Sequence, residues 1–277
     1  MKLLFSEAKP NHADYVYPYA VWAFPEPHET TADLFAAGFL PSNHQLERFY
    51  LCRHLRVDLR RYRASSENRR VLRKGAGVEV TLIPREEFGL TAARRDFCLR
   101  YTAVKIPSMT SSRLESLFSS KVTTHVLLVR EATGREIGYA TIFLTPGRMA
   151  FYYYAFYALD AQVQSLGMFM MTSAVQMCAD RGEEHIYLGT CYSLSALYKT
   201  QFAGVEFFNG RRWSGSMEEL KHLLRRQEDQ HARGHVLESA EYREEYLCEG
   251  LGEASLASRF SGTCIDHRPE KKAPEGA

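Results

Sequence analysis

The chain has little that would place it in a metal-binding, membrane or secreted class. Its six cysteines, Cys52, Cys98, Cys178, Cys191, Cys248 and Cys264, are scattered, and no two stand in C-x-x-C spacing. A zinc or iron–sulfur centre needs clustered thiolates or imidazoles, so no metal site is expected. Met1–Lys9 starts apolar but turns to charge and Pro10 before any long hydrophobic core, so no secretory leader is expected. Apolar runs are broken well short of the ~20 residues of a membrane-spanning helix, so no membrane partner is expected either. Reduced cysteines and a cytoplasmic location follow as the expectation. A formal net charge of +2 gives no global attraction for polyanions. No internal repeat is seen, and no Ser, His and acid stand in nucleophile-elbow spacing, which argues against a hydrolase triad.

What is present is a core-forming composition, 45% hydrophobic and 25% charged, which suits one large or two modest globular domains. Positive charge gathers between Arg48 and Lys74, where it can face RNA or phosphate or form a solvated strand-and-turn surface. Pro10, Pro18, Pro25 and Pro27 interrupt residues 1–30 and predict an extended arm packed through Tyr15, Tyr17, Tyr19 and Trp22. Thr30 or Thr31 predicts the cap of a short helix stopped by Gly38. From Leu51 the pattern alternates, with Leu55, Val57 and Leu59 inward and His54, Arg56 and Asp58 outward. Ser65 caps a helix ended by Gly75 and Gly77, and Val78–Ile83 reads as a strand. Pro84 opens a helix expected to run on through Phe97 and Tyr101.

Three strands, 123–131, 136–144 and 148–157, are joined by turn residues and predict an antiparallel meander. A helix over 165–180, a strand over 184–189, a helix over 194–202 and short strands near Val205–Phe208 follow. This order predicts an α/β fold of the acetyltransferase-like kind, a mixed, largely antiparallel central sheet flanked by helices. The expected domains are an amino-terminal arm and small region (1–77), the acetyltransferase-like domain (78–215), a charged helical extension (216–265) and a disordered tail (266–277).

Candidate chemistry gathers between Met149 and Trp213. In Gln162-Val-Gln-Ser-Leu-Gly167 a helix opens with free N–H groups and a glycine, able to accept a phosphate or a carbonyl oxygen. The plainer alternative is that Ser165 is an ordinary cap and Gly167 permits tight packing. Gln164, Ser165, Leu166 and Gly167 are therefore the candidate donor-binding residues, with Lys199 as a further phosphate contact. The Met-rich helix behind them reads as scaffold. Tyr152, Tyr153, Tyr154, Phe156 and Tyr157 alternate along their strand, where phenols can orient a substrate amine or simply fill the core. Asp160, just past the strand end, suits amine binding or general-base work, or is merely solvated. At i and i+4, Tyr198 and Phe202 share a helix face, which alone argues only core packing. Asp160, Tyr157 and Tyr198 are the candidate catalytic groups.

These residues resemble a known family, the arginyl- and leucyl-tRNA–protein transferases of the N-end-rule pathway. The resemblance runs from Leu34 to Trp213. Arg63-Ala-Ser-Ser-Glu-Asn-Arg-Arg70 is similar to the family's F-x-P-S-x-S-Q-R-R, and Phe156-Tyr157 with Ser165-Leu166-Gly167 to its F-Y-D-P and R-S-L-G. Tyr187-Leu188-Gly189 and Tyr198-Lys199-x-x-Phe202 resemble its Y-L-G-Y and Y-K-x-x-F. The resemblance implies transfer of an amino acid from aminoacyl-tRNA to the free N-terminus of a protein or peptide, with no resident cofactor. It implies that the Ser165–Gly167 helix start lies near the tRNA 3′ end, and that Arg63, Arg69 and Arg70 serve RNA contact or an interface between halves. The chain departs from the pattern in several places. The family's early cysteine cluster is missing, Gln164 stands for the Arg of R-S-L-G, and Ala158-Leu159 replaces D-P. Two rival readings stay open: an N-acyltransferase using acyl-CoA as donor, with Gln162–Gly167 as its pyrophosphate loop, and a non-catalytic binding relative.

Overall fold

The prolines of the first thirty residues separate strands. β1 (Lys2–Glu7) pairs antiparallel with β2 (Tyr19–Phe24) along its whole length, from Lys2 opposite Phe24 to Glu7 opposite Tyr19. The expected extended arm is thus corrected to a hairpin. Pro10 and Pro18 fall in its connection, and Pro25 and Pro27 follow β2, where a missing N–H interrupts no ladder. Tyr15 lies outside the described residues, which in this computed structural model are 1–13, 16–228, 235–247 and 250–256.

Helix α1 (Thr31–Ala36) starts from Thr30, whose hydroxyl accepts from the Asp33 N–H while the Asp33 carboxylate accepts from the Thr30 N–H. β3 (Phe39–Pro41) and β4 (Phe49–Leu51) then complete a four-stranded sheet in the order β1-β2-β4-β3.

β5 (His54–Asp58) leaves this small sheet and enters a larger one. After it come α2 (Ser66–Lys74), capped by Ser65, then β6 (Glu79–Pro84) and α3 (Arg85–Phe88). The helix expected from Pro84 through Tyr101 is two helices. Gly89 takes φ +54°, and Thr91 recaps the chain to start α4 (Ala92–Lys105). α5 (Ser111–Ser119) precedes the meander β7 (His125–Arg130), β8 (Glu136–Thr145) and β9 (Met149–Tyr157). Then come α6 (Leu166–Asp180), β10 (His185–Thr190), a 3-10 helix over Leu194–Thr200, β11 (Val205–Phe208), β12 (Trp213–Ser214) and α7 (Met217–Glu228).

The eight strands lie in the order β12-β11-β5-β10-β9-β8-β7-β6. Every neighbouring pair is antiparallel except β9 and β10, which the α6 crossover makes parallel. An antiparallel meander, a crossover helix and one parallel strand pair make this an acetyltransferase-like mixed α/β fold. Residues 54–58 come from the expected amino-terminal region yet stand in the middle of this sheet, between β10 and β11.

Both sheet faces are covered. On one face, Phe35 of α1 lies 5.1 Å from Phe151 and 4.9 Å from Tyr187, ring centre to ring centre. On the other, α4 and α6 pack against β9. This explains why two residues expected outward, His54 and Asp58, are buried. His54 was expected outward but is fully buried beside Tyr187, Phe208 and Trp213, its Nδ1 2.9 Å from the Cys52 carbonyl oxygen. Burial keeps it neutral, with a pKa lowered to about 4. Cys52, Cys98, Cys178 and Cys191 are buried free thiols, and burial pushes Cys52 and Cys178 up to about 12.

The described residues up to 228 form one compact unit and those from 235 to 256 belong to another. Within the second are a 3-10 turn (Val236–Glu238), α8 (Ala240–Tyr246) started by Ser239, and α9 (Gly250–Leu256). The expected tail, 266–277, lies outside the described residues.

α2 is seated on α6 through Gly75, where an added Cβ would fall 2.1 Å from Cε2 of Phe169. Gly75→Ala is expected to cost about 1–3 kcal/mol by overpacking. Urea unfolding measures this, and an unchanged midpoint would show that the two helices do not meet closely there.

Candidate active site

β9 and β10 run side by side for three residue pairs, from His185 opposite Met149 to Tyr187 opposite Phe151. They then part. β9 stays on β8 as far as Tyr157 opposite Gly138, while β10 is held by β5. β9 also carries a bulge: Tyr152 faces Ile142 and Ala155 faces Ala140, so one extra residue is accommodated between them. The buried Thr141 hydroxyl serves it by accepting from the Tyr154 N–H at 3.1 Å. Bulges re-aim side chains, and this one falls where the strands separate.

A cleft of about 480 Å³ opens between the end of β9, the start of α6 and Tyr198 of the 3-10 helix. α6 begins without a side-chain cap. Ser165 takes a left-handed conformation, φ +59° and ψ +42°, and its hydroxyl makes no capping bond. Its carbonyl accepts from Met168 and Phe169. Leu166 and Gly167 precede Met168, the first N–H to donate within the helix, so their own N–H groups remain at the positive end of the helix dipole. Gly167 has a specific reason to be glycine, because a Cβ would lie 2.9 Å from Cε1 of Tyr157.

Phenols surround this helix start. Tyr157 lies against Tyr101 of α4, ring centres 4.7 Å apart. Burial, and then the hydrogen bond shared with Tyr157, holds the Tyr101 phenol above its ordinary range. Burial also raises Tyr198, which is half exposed on the other wall. Lys105, one turn beyond Tyr101, lines the same cleft. Tyr101 and Lys105 were not singled out in the sequence. Their i, i+4 spacing on an amphipathic helix was legible, but nothing there located the strand end they face.

A second cleft, about 460 Å³, adjoins the first and shares Tyr101, Tyr157, Ala158 and Leu159 with it. It adds Arg100, Arg135, Glu136 and Asp160. Asp160 is 77% exposed and accepts from Arg135 at 3.0 and 3.1 Å. Glu136 accepts from Arg94, Tyr139 and Arg130. The Arg94 hydrogen bonds outweigh partial burial and lower its pKa to about 2.

The predicted residues therefore divide. Tyr157, Gln164, Ser165, Leu166, Gly167 and Tyr198 share one cleft, and Asp160 stands in its neighbour. Lys199 turns away and donates to the Thr190 carbonyl at 3.0 Å, and burial lowers its pKa. Tyr198 and Phe202 do not share a helix face: the segment is a 3-10 helix ending at Thr200, and Phe202 is buried near Tyr62. Arg63, Arg69 and Arg70 are exposed and lie outside both clefts. Arg63 and Arg69 donate to nearby carbonyls, and Arg70 forms a paired bond with Glu67.

No family model matches the chain. It is similar to an aspartate/glutamate leucyltransferase of Xanthomonas campestris pv. campestris, 38% identical over 64 residues, which is 22% of this chain. The chain thus spans about a quarter of that relative's length (25%). Among solved structures, the carboxyl-terminal domain of a putative lysylphosphatidylglycerol synthetase from Agrobacterium fabrum aligns with a TM-score of 0.42 at 17% identity, covering 50% of this chain and 46% of that one. A fungal glucosamine N-acetyltransferase region aligns with a TM-score of 0.38 at 14% identity, covering 56% and 20%.

The Glu136 cluster has a measurable pH signature. Its folded pKa is depressed, so its contribution is full above the unfolded carboxylate value near 4.5 and is lost as pH falls towards 2. Glu136→Gln should flatten the fall in stability across that window. An identical acid profile for both proteins would mean that the Arg94 contact does not persist in solution.

Proposed function

We propose that this protein transfers an amino acid from aminoacyl-tRNA to the free N-terminal amine of a protein or peptide. The observation that carries the reading is the uncapped α6 start, Gln164 to Gly167, facing the phenols of Tyr157 and Tyr198 at the end of β9. The partial similarity to a leucyltransferase supports it.

An aminoacyl ester is already activated, so positioning and removal of one proton provide most of the help required. The donor occupies the α6 cleft, its ester near the Leu166 and Gly167 N–H groups. Tyr157 and Tyr198 orient the reacting groups as hydrogen-bond donors. The acceptor amine enters from the adjoining cleft, where Asp160 provides a carboxylate for an ammonium group. Arg63, Arg69 and Arg70 contact RNA outside the clefts. The amine nitrogen bonds to the acyl carbon, and the ribose oxygen leaves with the proton that the amine sheds. No resident cofactor takes part in this scheme.

The test presents tRNAs charged with radiolabelled amino acids to the purified protein and a panel of peptides differing in their first residue. Label should appear in at least one peptide. Intact charged tRNA with no labelled peptide across the panel would sink the reading, and acylation from acetyl-CoA in a parallel arm would replace it with the acyl-CoA alternative. Gly167→Ala, which pushes on Tyr157, should lower kcat/KM by about 100-fold through misplacement. Full activity in that variant would remove the α6 start from the site.

A further inference from the structure

The small sheet carries aromatic rings and arginines together. Its strands set Leu4 opposite Trp22, Trp22 opposite Tyr50, and Tyr50 opposite Leu40. Residues paired across antiparallel strands point to the same side, so these four form one row across the sheet. On the opposite side Ala23 and Phe49 are fully buried, and Phe49 meets Phe35 of the core. Along the row exposure rises from buried Leu40, through half-buried Tyr50 and Trp22, to exposed Leu4. The exposed Arg48 places its guanidinium 4.9 Å from the Trp22 ring centre. Arg48 Nε donates to the Ser42 hydroxyl, and no carboxylate pairs with it among the described residues. Just past β4 the pattern repeats. The Tyr192 hydroxyl accepts from the Arg53 N–H at 2.7 Å, and the Arg53 guanidinium lies 5.1 Å from the Tyr192 ring centre. This contact brings the segment after β10 beside the end of β4. Tyr192, Leu194 and Tyr198 of that segment are exposed, and Tyr198 lines the cleft at the α6 start. A third arginine–ring pair differs. Arg56 lies 4.0 Å from the Trp213 ring centre, but Glu206 neutralises it at 2.7 Å and the Trp213 N–H donates to the Ala36 carbonyl. That pair belongs to the framework of the fold.

We propose that this surface binds single-stranded RNA, with bases stacked on Tyr192 and Trp22 and phosphates paired with Arg53 and Arg48. A single strand offers flat base faces and one negative charge per nucleotide, and rings interleaved with guanidiniums match both. A duplex hides its base faces in its own stack, so it gains only the arginines. An acidic peptide likewise uses the arginines and leaves the rings idle. Stacking accepts any base, so the surface holds RNA without reading its sequence. The inference rests on the aminoacyl-transfer reading only for the identity of the strand, which is then the unpaired 3′ end of charged tRNA. Tyr198 joins the two places, since it stands in the α6 cleft at the far end of the exposed segment that Tyr192 begins.

The experiment measures binding of the full chain to a short single-stranded RNA of mixed sequence, to the same RNA as a duplex, and to poly-glutamate of equal charge. Fluorescence anisotropy follows each at low and high salt. The wild type should prefer the single strand, and its affinity should fall as salt rises. Tyr192→Leu removes a stacking ring and should weaken single-strand binding about 10-fold. Tyr192→Phe keeps the ring but loses the hydrogen bond from Arg53, so it should bind RNA as the wild type does. Arg48→Gln, at an exposed position, should weaken binding and flatten its salt dependence. The proposal is overturned if Tyr192→Leu and Arg48→Gln bind as the wild type does, if Tyr192→Phe loses as much as Tyr192→Leu, or if the duplex or poly-glutamate binds as tightly as the single strand. Peptide labelling from charged tRNA is followed in parallel, where Tyr192→Leu should raise KM for the tRNA about 10-fold at constant kcat. Single-strand binding that responds to the variants, with no peptide labelled, would uphold the surface and reject the aminoacyl reading. Labelling that is equal in the wild type and both weakened variants would uphold that reading and reject the surface.

Discussion

Strands that stop pairing leave backbone groups that something else must satisfy, and β9 and β10 part after Phe151 and Tyr187. β10 finds β5, and β9 keeps β8 with help from the Thr141 hydroxyl. Because each strand has a second partner, the sheet stays continuous while its middle opens. The α6 start and the two adjoining clefts lie around the end of β9, beyond that opening.

The electrostatic character of the opening follows from what surrounds it. Tyr101 and Tyr198 are held protonated by burial, and the helix start offers N–H groups, so one cleft is lined by neutral donors. Next to it, Glu136 and Asp160 are tied to arginines. Neutral donors suit an oxygen that gains charge during reaction, whereas ion pairs suit a partner that arrives charged. The shared wall of Tyr101, Tyr157, Ala158 and Leu159 brings these two environments into contact.

Much of this architecture was legible in the sequence because it is local. Turn residues located the meander, Ser65 and Gly75 bounded α2, and the helix after Gln164 announced itself by composition. The failures are tertiary. Four prolines suggested an arm, but they fall between strands that pair at long range. His54 follows the outward phase of an alternating strand, yet α1 and Trp213 cover that face as well. Of the residues that line the α6 cleft, the sequence singled out those that adjoin the α6 start, together with Tyr198. Tyr101 and Lys105 come from a distant helix, so only the packing of α4 on β9 brings them in. Lys199 was placed correctly along the chain, but its side-chain direction depends on the Thr190 carbonyl, which no spacing encodes.

β5 gives the molecule a particular history each time it is made. Its neighbours in the sheet are β10 and β11, so Asp58 waits for His185 and Val57 waits for Val205. On a ribosome the early strand emerges long before either partner, with Leu55 and Val57 uncovered. Closing so long a loop is entropically slow, and the meander can assemble on its own contacts first. The sheet is therefore completed by an early segment inserted between two late ones, and until that step the nascent chain carries an open strand edge for which chaperones and other chains compete.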